Sequence, residues 1–312
     1  MNRSLRIQEV INPIRDDLQS GAAELALQGI SAFRTLMSEA ESDTPEGMRQ
    51  LLVDAAQALV KAHPAMAPLF HLSNELLLAT RGGASTSAII ASADEALDKF
   101  ETRLCDNAEK IAEHAFRLIP NGDMVFAYSF SSTVVSALLN AKARGRVFRV
   151  LCTEARPSME GRKLAKVLSS AGVEVVHTFD SAMGLMLPQC RIAFMGCDCV
   201  GRPGIVNKVG SWLLALACKE QGIPLVAMAG TEKFAADDRF FEFEDHERPG
   251  AEVWSDSPAG VRVANKQYEP VPWNWISSVV TEHGIIQEQG VEKYITEMDV
   301  HPALELENAF AK

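Results

Sequence analysis

The feature that most constrains the fold is a change of pattern near residue 120. Before it, apolar residues recur at helical spacing, as in 18–37 and 51–62, and no stretch reads as a convincing strand. After it, short apolar runs alternate with longer helical stretches. The runs lie at 124–127, 148–152, 173–177, 192–196 and 225–229, and the helical stretches near 132–144, 159–171, 181–188 and 210–221. Such alternation is typical of βαβ units around a parallel sheet.

This pattern predicts an α/β chain with two domains. We expect an N-terminal helical bundle of about four helices over residues 1–119, followed by a Rossmann-like, doubly wound parallel sheet over residues 120–312. A chain of 312 residues is long enough for two such domains.

The charge balance limits the classes of partner. Lys and Arg total 30 against 41 Asp and Glu, a net charge of −11, so we expect no nucleic-acid partner. A few local cations in an enclosed site can still attract a small phosphorylated molecule. No apolar run approaches the length of a membrane span, and the opening residues lack an export signal, so we predict a cytoplasmic protein without a membrane partner. The six cysteines include no CxxC pair, which favours a reducing compartment.

Polar residues follow the first two apolar runs, where a doubly wound sheet places its ligands. Ser129, Ser131 and Ser132 precede a helical stretch, and their hydroxyls either cap that helix or cradle an anion. Glu154 and Arg156 follow the second run. The arginine fork suits a phosphate, and the alternative is a surface pair between Arg156 and Glu154.

The run at 192–196 leads into an aspartate between two cysteines. Asp198 at a buried strand end is a candidate for proton transfer, because burial raises the pKa of a carboxyl. The alternative is a zinc site made by Cys197, Cys199 and either His177 or Cys190, although the usual second ligand pair is missing.

The segment 204–211 supplies a second candidate cation. Lys208 and the amides that follow it are expected to hold an anion, and Gly210 would permit close approach of the backbone. No GxGxxG and no Walker loop occurs, so we predict no nucleotide cofactor of either type and no other cofactor. Together the polar strand ends predict a phosphorylated small molecule as ligand.

Five motifs occur in an order that resembles a known family. They are TEARPSMEG, GCDCV, GIVNKVGS, AGTEKF and YEPVP. Over about residues 120–290 the chain is similar to the α, β and δ subunits of translation initiation factor 2B. That family includes ribose-1,5-bisphosphate isomerase and methylthioribose-1-phosphate isomerase. The resemblance implies a helical domain, a Rossmann-like domain, and homodimers or higher homo-oligomers through the latter, with a translation factor as a further partner.

The resemblance also assigns roles to residues. The isomerases use an aspartate, which Asp198 matches, and a cysteine, whose position falls on Ser129. Their Arg-Gly-Ala motif corresponds to residues 19–22, which lack the arginine. Ligand-binding positions remain, and the resemblance implies this role for Arg156, Asn207, Lys208 and Lys233.

Three hypotheses follow from these observations. The first is a non-catalytic relative of the initiation factor 2B α subunit that binds a phosphorylated sugar or nucleotide and acts through assembly. The second is an aldose–ketose isomerase of a sugar phosphate, with Asp198 moving the proton. The third is a scaffold with a vestigial pocket, in which Trp273 and Trp275 are either interface anchors or core, and 237–246 is either a lid, a partner-binding loop or a solvated loop.

Overall fold

The computed structural model describes residues 3–17, 20–40, 44–235, 248–295 and 299–305. The described residues of 1–106 and 296–312 form one compact unit, and those of 107–295 form a second. The division into domains 1–119 and 120–312 stays a prediction. The segment 237–246, considered above as a lid, lies outside the described residues.

Five helices precede the first strand within the described ranges, one more than the predicted bundle of about four. They are α1 (Arg3–Asp16), α2 (Ala22–Glu39), α3 (Pro45–Ala62), α4 (Ala67–Ala79) and α5 (Thr86–Ala115). The missed helix, α1, buries Ile7, Ile11 and Ile14, which lie on one helical face. The Thr44 side chain caps α3 by accepting a hydrogen bond from the Gly47 amide at 3.1 Å.

The predicted parallel sheet is confirmed in the second unit. Its seven strands are β1 (Met124–Tyr128), β2 (Arg149–Thr153), β3 (Glu174–Thr178), β4 (Cys190–Met195), β7 (Leu225–Met228), β9 (Ser278–Thr281) and β10 (Gly284–Ile286). They lie in the order β10-β9-β7-β4-β1-β2-β3, and every pairing is parallel except that of β9 with β10. The strand order therefore reverses at the β1–β4 pair, which is where doubly wound sheets form a ligand crevice.

Helices cover both faces of this sheet. The second unit has α6 (Ser132–Ala143), α7 (Glu160–Ser170), the single-turn α8 (Met183–Met186), α9 (Ser211–Gln221) and α10 (Glu288–Ile295). Side chains alternate along the strands, so Phe126 packs in a core with Leu214 of α9, whereas Val125 packs in another with Leu138 of α6 and Leu164 of α7. Two buried layers result, as expected for an α/β fold.

A second, antiparallel sheet of three strands is absent from the prediction. It contains β5 (Cys199–Gly201), β6 (Gly204–Lys208) and β8 (Tyr268–Pro272), in the order β5-β6-β8. The segment expected to be a ligand loop is thus largely a buried strand. Trp273 follows β8, is buried, and donates from Nε1 to the Gly201 carbonyl oxygen at 2.8 Å, so it belongs to the core. Trp275 is half-buried and packs edge-on against Trp212.

No helix among the described residues combines the length and the apolar character needed to cross a membrane.

The junction between β2 and α7 gives a test of the fold. A Cβ at Gly161 would overlap the carbonyl oxygen of Thr153, a backbone atom that cannot turn away. We expect Gly161→Ala to lower the free energy of unfolding by about 2–3 kcal/mol, as overpacked sites do. The matched control is Gly184→Ala, where a Cβ meets nothing within 4 Å, and its effect should stay within about 0.5 kcal/mol. Equal effects in urea unfolding would contradict this packing.

Candidate functional site

The candidate site lies where β1, β2, β4 and β7 end, around the reversal of strand order. The loops after β1 and β4 pack tightly, because a Cβ on Gly196 would overlap the Ser131 side chain. Ser131 itself caps α6, its hydroxyl accepting from the Val134 amide at 3.4 Å, and Ser132 is exposed at the first position of that helix. Of the two roles expected for these hydroxyls, capping the helix is therefore the one that Ser131 has in this structure.

Ser129 is one of three non-glycine residues at this edge with a left-handed backbone. It is buried and left-handed, with φ of 59°, which is uncommon for a residue other than glycine. Its hydroxyl donates to Oε2 of Glu160, the first residue of α7. The other oxygen, Oε1, pairs with the Lys208 Nζ at 2.6 Å and accepts from the Ser158 hydroxyl at 3.2 Å. Glu160 thus connects Ser129 with Lys208, two residues that the sequence predicted to belong to the site.

The loop after β2 is shaped by another carboxylate. Asp180 accepts from the amides of Ala155 and Arg156 at 2.8 and 2.9 Å, and Ala155 is left-handed with φ of 54°. The Arg156 side chain is exposed, and its Nη2 lies 3.4 Å from the Val253 carbonyl oxygen. Glu154 pairs with Arg162, so the alternative of a Glu154–Arg156 pair is wrong.

Asp198 and Lys233 come together after β4 and β7. Burial raises the pKa of Asp198 from 3.8 to about 6, although the nearby Lys233 and Lys208 ammonium groups oppose this rise. Lys233 is only 6% exposed. Among the described residues, neither its ammonium nor the Asp198 carboxyl has a hydrogen bond or an ion pair.

The N-terminus of α9 is already occupied by the protein. The amides of Gly210 and Trp212 both donate to Oε1 of Glu269 at 2.7 Å. Gly210 has φ of 103°, and a Cβ there would overlap the Tyr128 hydroxyl, which donates to the Val209 carbonyl oxygen at 2.6 Å. The group that approaches Gly210 closely is therefore the Tyr128 side chain of the same protein. The expectation that these amides hold an external anion is wrong for this structure, because Glu269 accepts from them.

Asn207 also has an internal partner. Its Nδ2 donates to the Ser211 hydroxyl at 2.8 Å, and that hydroxyl donates to the Lys208 carbonyl oxygen at 2.7 Å. These bonds join the end of β6 to the start of α9 and so fix the position of Lys208.

Two buried glutamates beside Lys233 escaped the sequence analysis. Glu232 accepts from Asn107 Nδ2 at 3.0 Å, and burial raises its pKa. Glu282 accepts from the Thr231 amide and from the Thr231 hydroxyl. The sequence signal for Glu232 was its place in the AGTEKF motif, whereas nothing in the sequence marked Glu282 or Glu269.

The described residues place no group of three or more His, Cys, Asp and Glu where a metal ion would bind. Burial raises the pKa of Cys197 and of Cys199, which keeps both thiols protonated at neutral pH. The Cys152 Sγ lies 3.3 Å from the His177 Nδ1. These two residues face each other in the pairing of β2 with β3, away from Cys197 and Cys199.

Of residues 19–22, the stretch that corresponds to the Arg-Gly-Ala motif, the described residues 20–22 belong to the first unit. Gln19 lies outside the described residues, and the Gly21 amide donates to Glu24 Oε2 at 3.2 Å at the start of α2.

Comparison with known proteins gives consistent relatives. The chain matches the profile of the Initiation factor 2 subunit family over residues 18–288. A Pyrococcus horikoshii protein named for its likeness to translation initiation factor eIF-2B subunit 2 is 31% identical over 90% of this chain and 96% of its own. A ribose 1,5-bisphosphate isomerase of Archaeoglobus fulgidus is 29% identical over 93% of each chain. The crystal structure of Pyrococcus horikoshii translation initiation factor eIF-2B has a TM-score of 0.79 at 30% identity, covering 90% of this chain and 96% of that one.

The fold and the strand-end cluster define an α/β protein with an N-terminal helical region and polar groups gathered at the reversal of its sheet. The chain belongs to the Initiation factor 2 subunit family, which confirms the resemblance predicted from its motifs. Its relatives include proteins of both initiation-factor and isomerase type.

The raised pKa of Asp198 gives a pH-dependent prediction. A carboxyl whose pKa is 3.8 unfolded and about 6 folded disfavours the folded state as the pH rises between those values. Asp198→Asn mimics the protonated form, so we expect it to stabilise the protein by about 1–3 kcal/mol at pH 8 and by nothing near pH 4. Urea unfolding across this range measures the difference, and a stabilisation independent of pH would contradict the assignment.

Proposed function

We propose that this protein binds a phosphorylated sugar or nucleotide at the carboxyl ends of its parallel strands and acts as a non-catalytic, initiation-factor-type member of its family. In this proposal the bound ligand regulates assembly with other protein chains. Assembly is supported by a structural relative described as a tetrameric eIF2B-beta2-delta2 complex of C. thermophilum. A homodimer or higher homo-oligomer through the 120–312 region is part of the same proposal.

The observation that carries the proposal is the Lys233 ammonium. A nearly buried ammonium without a hydrogen bond loses much of its hydration, which costs several kcal/mol unless an anion compensates. Asp198 is close enough to act on Lys233 electrostatically but forms no ion pair with it. A phosphate group would supply the missing partner, and Arg156, exposed on the neighbouring loop, would reach the other end of a bisphosphate.

The Ser129–Glu160–Lys208 contact supports the absence of catalysis. A thiol at the family's cysteine position releases its proton near neutral pH, whereas a serine hydroxyl needs an activating base. The base within reach, Glu160, is paired with Lys208 at 2.6 Å. Glu160 is thus engaged within the chain, one oxygen by Lys208 and the other by the Ser129 hydroxyl. The phosphate-binding role predicted for Lys208 accordingly stays a prediction, since its ammonium already has an anion.

The second candidate function is that of an aldose–ketose isomerase, and one observation supports it. With a pKa of about 6, Asp198 can both accept and return a proton near neutral pH, as the transfer between neighbouring carbons of a sugar requires. Relatives named ribose 1,5-bisphosphate isomerase make that bisphosphate the first substrate to test. Ser129 would then act as a hydrogen-bond donor to the sugar.

Ligand binding is tested by thermal shift against ribose 1,5-bisphosphate, pentose and hexose phosphates and nucleotides. A ligand at a hundred times its dissociation constant adds about 2.7 kcal/mol and raises the melting temperature by a few degrees. We expect Lys233→Met to abolish that shift and Arg156→Ala to reduce it. The matched control is Lys166→Met, the same chemical change at an exposed position, which should keep the full shift. No shift with any compound would favour the scaffold hypothesis.

Catalysis is tested with the same bisphosphate by following conversion to the ketose by NMR. The proposal expects binding without turnover. If turnover is found, the isomerase hypothesis expects Asp198→Asn to lower kcat by about 10²-fold or more, because a positioned acid–base group supplies at least that factor. Turnover that persists in Asp198→Asn would exclude this carboxyl as the proton carrier.

A further inference from the structure

A cavity of about 470 Å³ lies far from the strand-end site. It is lined by Glu113, His114, Phe116, Arg117, Asn140 and Arg144. α6 starts where β1 ends, so its last residues, which include Asn140, lie at the opposite edge of the sheet. The cavity has the size of a small-molecule site and takes no part in the proposed function.

Arginines concentrate around this cavity. The Arg144 guanidinium lies 3.8 Å from the centre of the Phe116 ring, and that of Arg146 lies 4.5 Å from the same centre. Arg117 adds a third guanidinium, against the single carboxylate of Glu113. None of the three forms an ion pair with a described residue, whereas Arg34, for example, bonds two carboxylates. In a chain of net charge −11, this cluster is a local patch of positive charge.

The ends of α5 and α6 account for only part of this arrangement. A cation near a helix C-terminus is favourable because of the helix dipole, which explains one arginine at each helix end. It does not explain the third arginine, Arg146, which packs on the same Phe116 ring as Arg144. Guanidinium groups that have no carboxylate partner repel one another, so this cluster favours an anion in the cavity.

We propose that this cavity binds a phosphorylated small molecule, at a second anion site separate from the strand-end site. The guanidinium groups of Arg117 and Arg144, which line the cavity, would hold the phosphate oxygens, since the planar fork matches phosphate in two hydrogen bonds. The Asn140 side chain, which also lines the cavity, would bond a hydroxyl of the ligand, so the favoured class is a phosphate monoester of a polyol or sugar.

The test is calorimetric titration with glycerol 1-phosphate and inorganic phosphate at constant ionic strength. We expect saturable binding that Arg144→Gln and Arg117→Gln each weaken at least tenfold, the effect of losing a charge-assisted hydrogen bond. Asn140→Asp keeps the size of the side chain and leaves the stacking of Arg144 on Phe116 in place. Its added negative charge should weaken binding by a similar factor. Arg191→Gln, an exposed arginine on β4, is the matched control and should bind as the unchanged protein does.

Lys233→Met separates the two sites. The arginine variants are therefore also titrated in the Lys233→Met background: phosphate binding that persists in Lys233→Met and is lost when Arg144→Gln is added supports the second site, whatever becomes of the strand-end proposal. Binding lost in Lys233→Met and kept in the arginine variants overturns it, as does the absence of saturable binding in the unchanged protein. Unfolding curves of each variant show whether a loss reflects the cavity or a loss of fold.

Discussion

The two oxygens of the Glu160 carboxylate contact the Ser129 hydroxyl and the Lys208 ammonium, and the rest of the strand-end site is arranged around this bridge. Lys208 is almost completely buried, so separating it from Glu160 would leave an uncompensated charge at a cost of several kcal/mol. Glu160 can reach both partners because α7 begins directly against β2, where Gly161 leaves room for the Thr153 carbonyl. The fold and the site are thus linked at one helix start.

Other carboxylates also bond groups of the chain itself at neighbouring strand ends. Asp180 holds the amides of Ala155 and Arg156, and Glu269 holds those at the start of α9. Groups that commonly bind a ligand's phosphate are therefore held by the chain's own anions. Lys233 differs from them, because it is nearly buried beside Asp198 and bonds to neither a carboxylate nor a hydroxyl of the described residues. Lys233 is therefore the cation that the proposed function assigns to the ligand.

The sequence was sufficient for the large sheet and insufficient for the small one. Strands such as β1 and β4 are continuous apolar runs between helices, a local signal that needs no partner. In β6, by contrast, Asn207 and Lys208 are polar, and the strand exists because β8 pairs with it from some sixty residues away. Ser129 and Asp198 were predictable because strand ends follow from strands. Glu269 was not, since it lies 59 residues from the Gly210 amide that it accepts from.

The most direct test of this account is the affinity of Glu160→Gln for ribose 1,5-bisphosphate, measured by calorimetry beside the unchanged protein. Glutamine keeps the size and hydrogen-bonding capacity of the side chain but removes the charge that neutralises Lys208. If the chain's own carboxylate limits anion binding, the variant should bind the bisphosphate about tenfold more tightly, a gain of about 1.4 kcal/mol. Weaker binding would show instead that Glu160 orders the site for its ligand, and would contradict the account.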